Sequence, residues 1–211
     1  MAITAGYPVQ LSVDYPERDL DRFTTLLRFV VAIPILLLLS FVSAATFHVG
    51  GRSSEREVIT AAGGLLFLGP LLMIVFRQKY PRWWFDWNRE LLRFSVRVTA
   101  YMALMDDRYP STDEEQSVHL EVPYPDVPRE LNRWLPLVKW FLAIPHYFVL
   151  FFLFIAAVVS VIVAWFAILF TSRYPRGLFN FVEGVIRWQN RVMAYAFILT
   201  TDQYPPFRLS A

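Results

Sequence analysis

Residues 140–172 read WFLAIPHYFVLFFLFIAAVVSVIVAWFAILFTS, 33 residues without one Asp, Glu, Lys or Arg, and with His146 as the one side chain that can carry a charge near neutral pH. As one helix this run would be roughly 50 Å long at about 1.5 Å per residue, against a hydrocarbon core of about 30 Å. Two short spans joined by a tight turn near Ala156–Ser160 therefore fit better, separating YFVLFFLF from VIVAWFAILF. A second uncharged run, FVVAIPILLLLSFVSAATF, covers Phe29–Phe47. The polar stretch HVGGRSSERE follows it, and a third run spans Ile59–Phe76 with Pro70 inside.

The whole 211-residue chain shares this character: 56% hydrophobic, 17% aromatic and 18% charged, with a mean hydropathy of +0.40. Soluble domains are nearer 45–50% apolar and about 25% charged, so the composition defines an integral membrane protein. With no cysteine, disulfides, thiolate metal sites and cysteine nucleophiles are excluded. The N-terminal stretch MAITAGYPVQLSVDYPERDLDR has no basic segment leading into an apolar one, and does not read as a cleaved signal peptide.

The chain also repeats itself. VQLSVDYP (9–16) and ERDLDRFTTLLRFVVAIP are matched by VHLEVPYP (118–125) and DVPRELNRWLPLVKWFLAIP. FRQKYPRWWFDWNRELLRFSVRVTAYMALMDDRYP is matched by FTSRYPRGLFNFVEGVIRWQNRVMAYAFILTTDQYP. Arg22 aligns with Arg133, Arg28 with Lys139, Pro34 with Pro145, Arg93 with Arg187, Arg97 with Arg191 and Tyr101 with Tyr195. Repeats flanked by matching basic segments share an orientation, which requires an even number of spans in each.

The expected architecture is a mainly α, polytopic membrane protein with four transmembrane helices in two tandem repeats, 1–115 and 116–211. The spans fall at about 24–47, 59–77, 134–156 and 158–172. Each pair is followed by an interfacial amphipathic helix, 82–104 and 176–198. Val9–Val13 and Val118–Val122 alternate apolar and polar, the period of a half-buried strand, and predict a small cytoplasmic β-sheet. Tyr101–Met105 and Tyr195–Thr200 fit further strands or helix ends. Only Arg52 and Arg56 fall in the loop between the first two spans. The other eighteen Lys and Arg residues lie on the opposite side, which places both termini in the cytoplasm.

Tyr-Pro occurs at 7, 15, 80, 109, 124, 174 and 204, where random pairing would give roughly one copy. Proline suits a first helical turn and tyrosine suits headgroup depth, so these pairs read as corners. Tyr80, Trp83, Trp84, Trp87, Tyr174 and Trp188 are the expected interface anchors. Arg89, Arg93 and Arg97 recur at i, i+4 along one helix stripe, with Glu183, Arg187 and Arg191 as the matching stripe. Such arginines either pair locally or meet lipid phosphates; Arg89, Arg93, Arg97, Arg187 and Arg191 are the candidate headgroup ligands. His146, whose counterpart is Ile35, is a candidate ligand contact. Asp106, Asp107 and Asp202 read as turn caps before Tyr-Pro corners.

No catalytic motif, metal-ligand spacing or cofactor fingerprint occurs, and the dispersed basic residues do not form a nucleic-acid footprint. The AIPHYF segment (143–148), FTSRYPRGLFNF (170–181) and DQYPPF (202–207) resemble an uncharacterised family of bacterial integral membrane proteins, known only as a domain of unknown function. That resemblance implies a bacterial inner-membrane location and carries over no catalytic residues. The expected function is a non-catalytic accessory or scaffolding subunit of a membrane complex, with a membrane-protein partner or a second copy and lipids around it. Binding or transfer of a lipid or hydrophobic molecule is the alternative. Transport is disfavoured by the lack of polar residues in the spans.

Overall fold

The computed structural model describes residues 6–43, 62–112, 114 and 116–210. The expected loop carrying Arg52 and Arg56 lies outside them. In chain order the elements are β1 (Gln10–Val13), α1 (Arg22–Ser43), α2 (Ala62–Arg77), α3 (Arg82–Met102), β2 (Val118–Glu121), α4 (Val127–Glu130), α5 (Pro136–Leu142), α6 (Ile144–Thr171) and α7 (Arg176–Met193). A π-helical turn, Ala194–Ile198, continues α7. The protein is mainly helical, with one small sheet.

Among the described residues two helices, α1 and α6, are long and apolar enough to cross a membrane, and α2, with 16 residues, is shorter. The turn expected near Ala156–Ser160 is not formed: α6 runs unbroken for 28 residues, about 42 Å. Nothing in its interior opposes the helix, since after Pro145 it contains neither proline nor glycine. Ser160 also satisfies its hydroxyl within the helix, donating to the Ala156 carbonyl. The break falls instead at Ala143, between α5 and α6. There Pro145 lacks the N–H that would have continued the ladder. The second half therefore supplies one long apolar helix and not two short ones.

The alternating segments do pair. β1 and β2 form a two-stranded antiparallel sheet in which Leu11 faces Leu120 and Val13 faces Val118. Leu11, Val13, Val118 and Leu120 point into the core while Gln10, Ser12, His119 and Glu121 are exposed. The segments after α3 and α7 are helix ends, closed by Leu104 and Leu199 in the left-handed region (φ 64° and 61°).

Three layers result. The strands lie on α3 and α7, which in turn lie on α1 and α6, and α6 against α7 is the most extensive helix contact. Phe85, Val96, Tyr174, Phe179, Val182 and Val185 belong to the main core. A second cluster joins Ala32 and Ile35 of α1 to Phe94, Val98 and Tyr101 of α3. Gly69 and Gly184 permit close approach: a Cβ at Gly69 would lie 2.0 Å from the Trp84 ring, and one at Gly184 2.9 Å from Leu209.

Candidate functional site

The polar interior is built from cations that α1 and α5 carry inward. Arg28 of α1 is buried, and its guanidinium donates to the Tyr101 and Asp106 carbonyls at 2.8 and 2.6 Å. It also pairs with the Asp107 carboxylate at 2.6 Å and lies 4.5 Å from the Tyr101 ring centre. Lys139 of α5 is buried likewise. Its ammonium donates to the Thr201 carbonyl at 2.6 Å and pairs with Asp202 at 2.7 Å, with the Tyr195 ring 5.1 Å away. Burial pushes the Lys139 ammonium below the ordinary lysine value, and Asp202 opposes that shift.

Each carboxylate has a second task. Asp107 accepts the backbone N–H of Asp21 at 2.9 Å, and Asp202 accepts that of Asn132 at 2.5 Å. Asp21 and Asn132 in turn accept the N–H of Phe23 and Trp134. A buried charge is tolerable only when paired and hydrogen-bonded, and both cations meet that condition. Asp107 and Asp202 are thus counter-ions more than turn caps. The aligned pair Arg28 and Lys139 was the signal in the sequence; their acidic partners lie 79 and 63 positions downstream, beyond any local pattern.

The halves brace each other. Arg22 donates to Ser172 Oγ (2.7 Å) and the Phe170 carbonyl at the end of α6, while Arg133 donates to the Val75 (2.5 Å) and Phe76 carbonyls at the end of α2. These are helix C-termini, where cations suit the dipole and the open carbonyls. Tyr15 and Tyr124 donate to the carbonyls of Tyr174 and Tyr80, each at 2.5 Å.

The five candidate arginines face inward partners to different degrees. Arg93 donates to the Leu120 carbonyl and Arg187 to the Leu11 carbonyl, at 3.1 and 2.8 Å. Arg97 holds the Ser111 carbonyl, and Arg187 also holds that of Leu209. Arg191 is buried and reaches the Ser210 carbonyl at 3.0 Å. Arg187 makes a short ion pair with Glu183, whereas Arg89 pairs at the surface with Asp86 and Glu90.

The anchors divide. Trp83 and Trp87 are exposed and Trp84 is half-buried, but Tyr80, Tyr174 and Trp188 are buried. Trp188 donates its indole N–H to His146 Nδ1 at 3.0 Å, and Phe207 stacks on the imidazole with centres 4.0 Å apart. His146 is thus fully buried under the C-terminal segment, and its Nε2 has no hydrogen-bond partner among the described residues. Among the described residues no group of three or more His, Asp or Glu side chains converges on a metal-sized site. An apolar cavity of ≈ 310 Å³ opens between the helical pairs, lined by Phe29, Met102, Phe154, Val158, Val185 and Ile186 among others.

Fold and site together define a helical protein with membrane-type apolar helices and a structural polar interior. Residues 134–208 match the model of an uncharacterised family, Domain of unknown function (DUF4389). No curated protein and no solved structure matches the chain.

Proposed function

We propose that the protein is a non-catalytic accessory or scaffolding subunit embedded in a bacterial inner membrane, with both termini on the cytoplasmic side. The observation that carries this reading is where the cations are spent. Arg28, Lys139, Arg93, Arg97, Arg187 and Arg191 all donate to carbonyls of their own chain. Polar chemistry here fastens the molecule, while its outer faces present dense aromatic and aliphatic side chains. Phe148, Phe152, Ile155, Val159, Ile162 and Phe166 are exposed on α6 alone. Exposed apolar surface on this scale marks a membrane or protein contact.

Two tandem repeats about a pseudo-twofold axis belong to the same proposal. Its support is the exchange of equivalent contacts: Arg22 with the end of α6 and Arg133 with the end of α2, Tyr15 with Tyr174 and Tyr124 with Tyr80. The axis would pass between Leu11 and Leu120, which are equivalent in the alignment and opposite in the sheet.

Mild extraction from native membranes followed by native mass spectrometry tests the function. A stoichiometric membrane-protein partner or a defined homo-oligomer is expected; a bare monomer would overturn the scaffold reading. The cavity favours one second reading, the binding of a hydrophobic molecule. The headgroup role expected of Arg93, Arg97, Arg187 and Arg191 gains nothing from it, because each is bonded to a carbonyl of its own chain and none lines the cavity. On the second reading one hydrophobic molecule stays bound through extraction and is lost when Val158→Trp fills the cavity. Retention after that change would remove the cavity as its site.

A further inference from the structure

We propose that α1 and α6 lie in the plane of the membrane, sunk into the hydrocarbon of a single leaflet, and do not cross it. The inference rests on the membrane location above and replaces the four crossings that hydropathy suggests. It starts from α7. Glu183, Arg187 and Arg191 form a stripe along one side of that helix, bonded to Val13, Leu11 and the C-terminal segment. Val182, Val185 and Gln189 sit roughly half a turn round the helix, and they line the apolar cavity with Ala157, Val158 and Val161 of α6. The strand and α6 therefore lie on opposite sides of α7.

The strand follows α7 lengthwise. Tyr7 bonds the Arg191 carbonyl, Val13 bonds Glu183, and Tyr15 bonds the Tyr174 carbonyl at the corner before α7. The other half matches, with Leu120 at Arg93 and Tyr124 at the Tyr80 carbonyl. Gln10, Ser12, Asp14, His119 and Glu121 along these segments are exposed and belong in water, since polar and charged side chains are costly to place in hydrocarbon. If α6 crossed the bilayer, α7 and its strand would be carried into the core with it. Stacking the layers along the membrane normal removes the conflict: strands in water, α3 and α7 at the headgroups, α1 and α6 below.

The outer face of α6 fits acyl chains over its full length. Phe148, Phe152, Ile155, Val159, Phe166 and Phe170 are all exposed, and α6 carries no charged residue. A helix about 10 Å across fits a leaflet half of the roughly 30 Å core. At the rim, exposed Trp83, Trp87 and Trp134 and the exposed cations Arg77 and Lys79 suit headgroup depth and anionic phosphates.

The test uses the full chain, which has no native cysteine, in phosphatidylcholine–phosphatidylglycerol vesicles. Phe148→Cys, Phe152→Cys, Val159→Cys, Phe166→Cys and Phe170→Cys are each given a nitroxide, and depth is read from collisions with oxygen and a nickel chelate. The in-plane arrangement gives all five nearly the same depth, inside one leaflet. Depth that peaks near Val159, with Phe148 and Phe170 near opposite headgroup regions, would overturn it; a crossing helix separates those ends by about 33 Å. Chelate access at every site would overturn the membrane location itself.

Discussion

Arg28 and Lys139 show how single residues set the local structure. Each ends a long side chain among backbone carbonyls and one carboxylate, so the charge is neutralised where water is excluded. Removing one member of a buried pair leaves the other uncompensated, at a cost of about 3–5 kcal/mol. Arg28→Met and Lys139→Met should therefore lower the unfolding midpoint in detergent sharply. In each case adding Asp107→Asn or Asp202→Asn should cost less than the sum of the single changes. Additive losses would mean the pairs contribute little. His146 offers a milder test: Trp188→Phe keeps an aromatic ring, though a smaller one, and removes the indole N–H that Nδ1 accepts, for about 1–3 kcal/mol. Ile35, which aligns with His146 in the sequence, lies with Phe94 in an apolar cluster.

Among the elements, the glycines separate close packing from simple helix propensity. Gly69→Ala drives a methyl into the Trp84 ring and should loosen the corner between α2 and α3, reducing thermal stability. Gly184→Val should displace the C-terminal segment at Leu209. Gly177→Ala meets nothing within 4 Å and sits in the first turn of α7, so alanine should be neutral or stabilising by up to about 1 kcal/mol. Thermal unfolding of the three variants should rank them in that way. The C-terminal segment has its own readout. Deleting residues 207–211 removes Phe207 from His146 and the carbonyls held by Arg187 and Arg191. Histidine modification at position 146 should then become fast, where it is slow in the intact protein.

For the whole molecule, alkaline pH acts on the tyrosines buried in the main core. Burial pushes Tyr7, Tyr80 and Tyr174 far above the ordinary value of 10.0. In the unfolded chain they ionise near that value, so the unfolded state releases protons first. The stability they contribute is full below about pH 10 and is lost as the pH rises above it. Tyrosinate absorbance should appear together with the loss of helix, not before it, in a titration followed by ultraviolet absorption and circular dichroism.

Much of this was legible in the chain. Composition pointed toward a membrane, because 56% hydrophobic and 18% charged residues depart from the soluble average in the same direction, and two of the described helices are long and apolar enough to cross one. Period-two alternation located both strands, and Tyr-Pro corners with basic flanks located the starts of α3 and α7, since these signals are local. Alignment of the halves singled out Arg28, Lys139, Arg22 and Arg133. Hydropathy could not divide residues 140–172 into spans. It measures how apolar a segment is, and in-plane, crossing and hairpin helices are equally apolar. The lack of proline and glycine after Pro145 already permitted a continuous α6; the packing of its inner face along α7, a contact between segments, came only with the tertiary structure. Only it paired the buried cations with Asp107 and Asp202, for the same reason: charge compensation depends on distance in space, and neither periodicity nor composition records that distance.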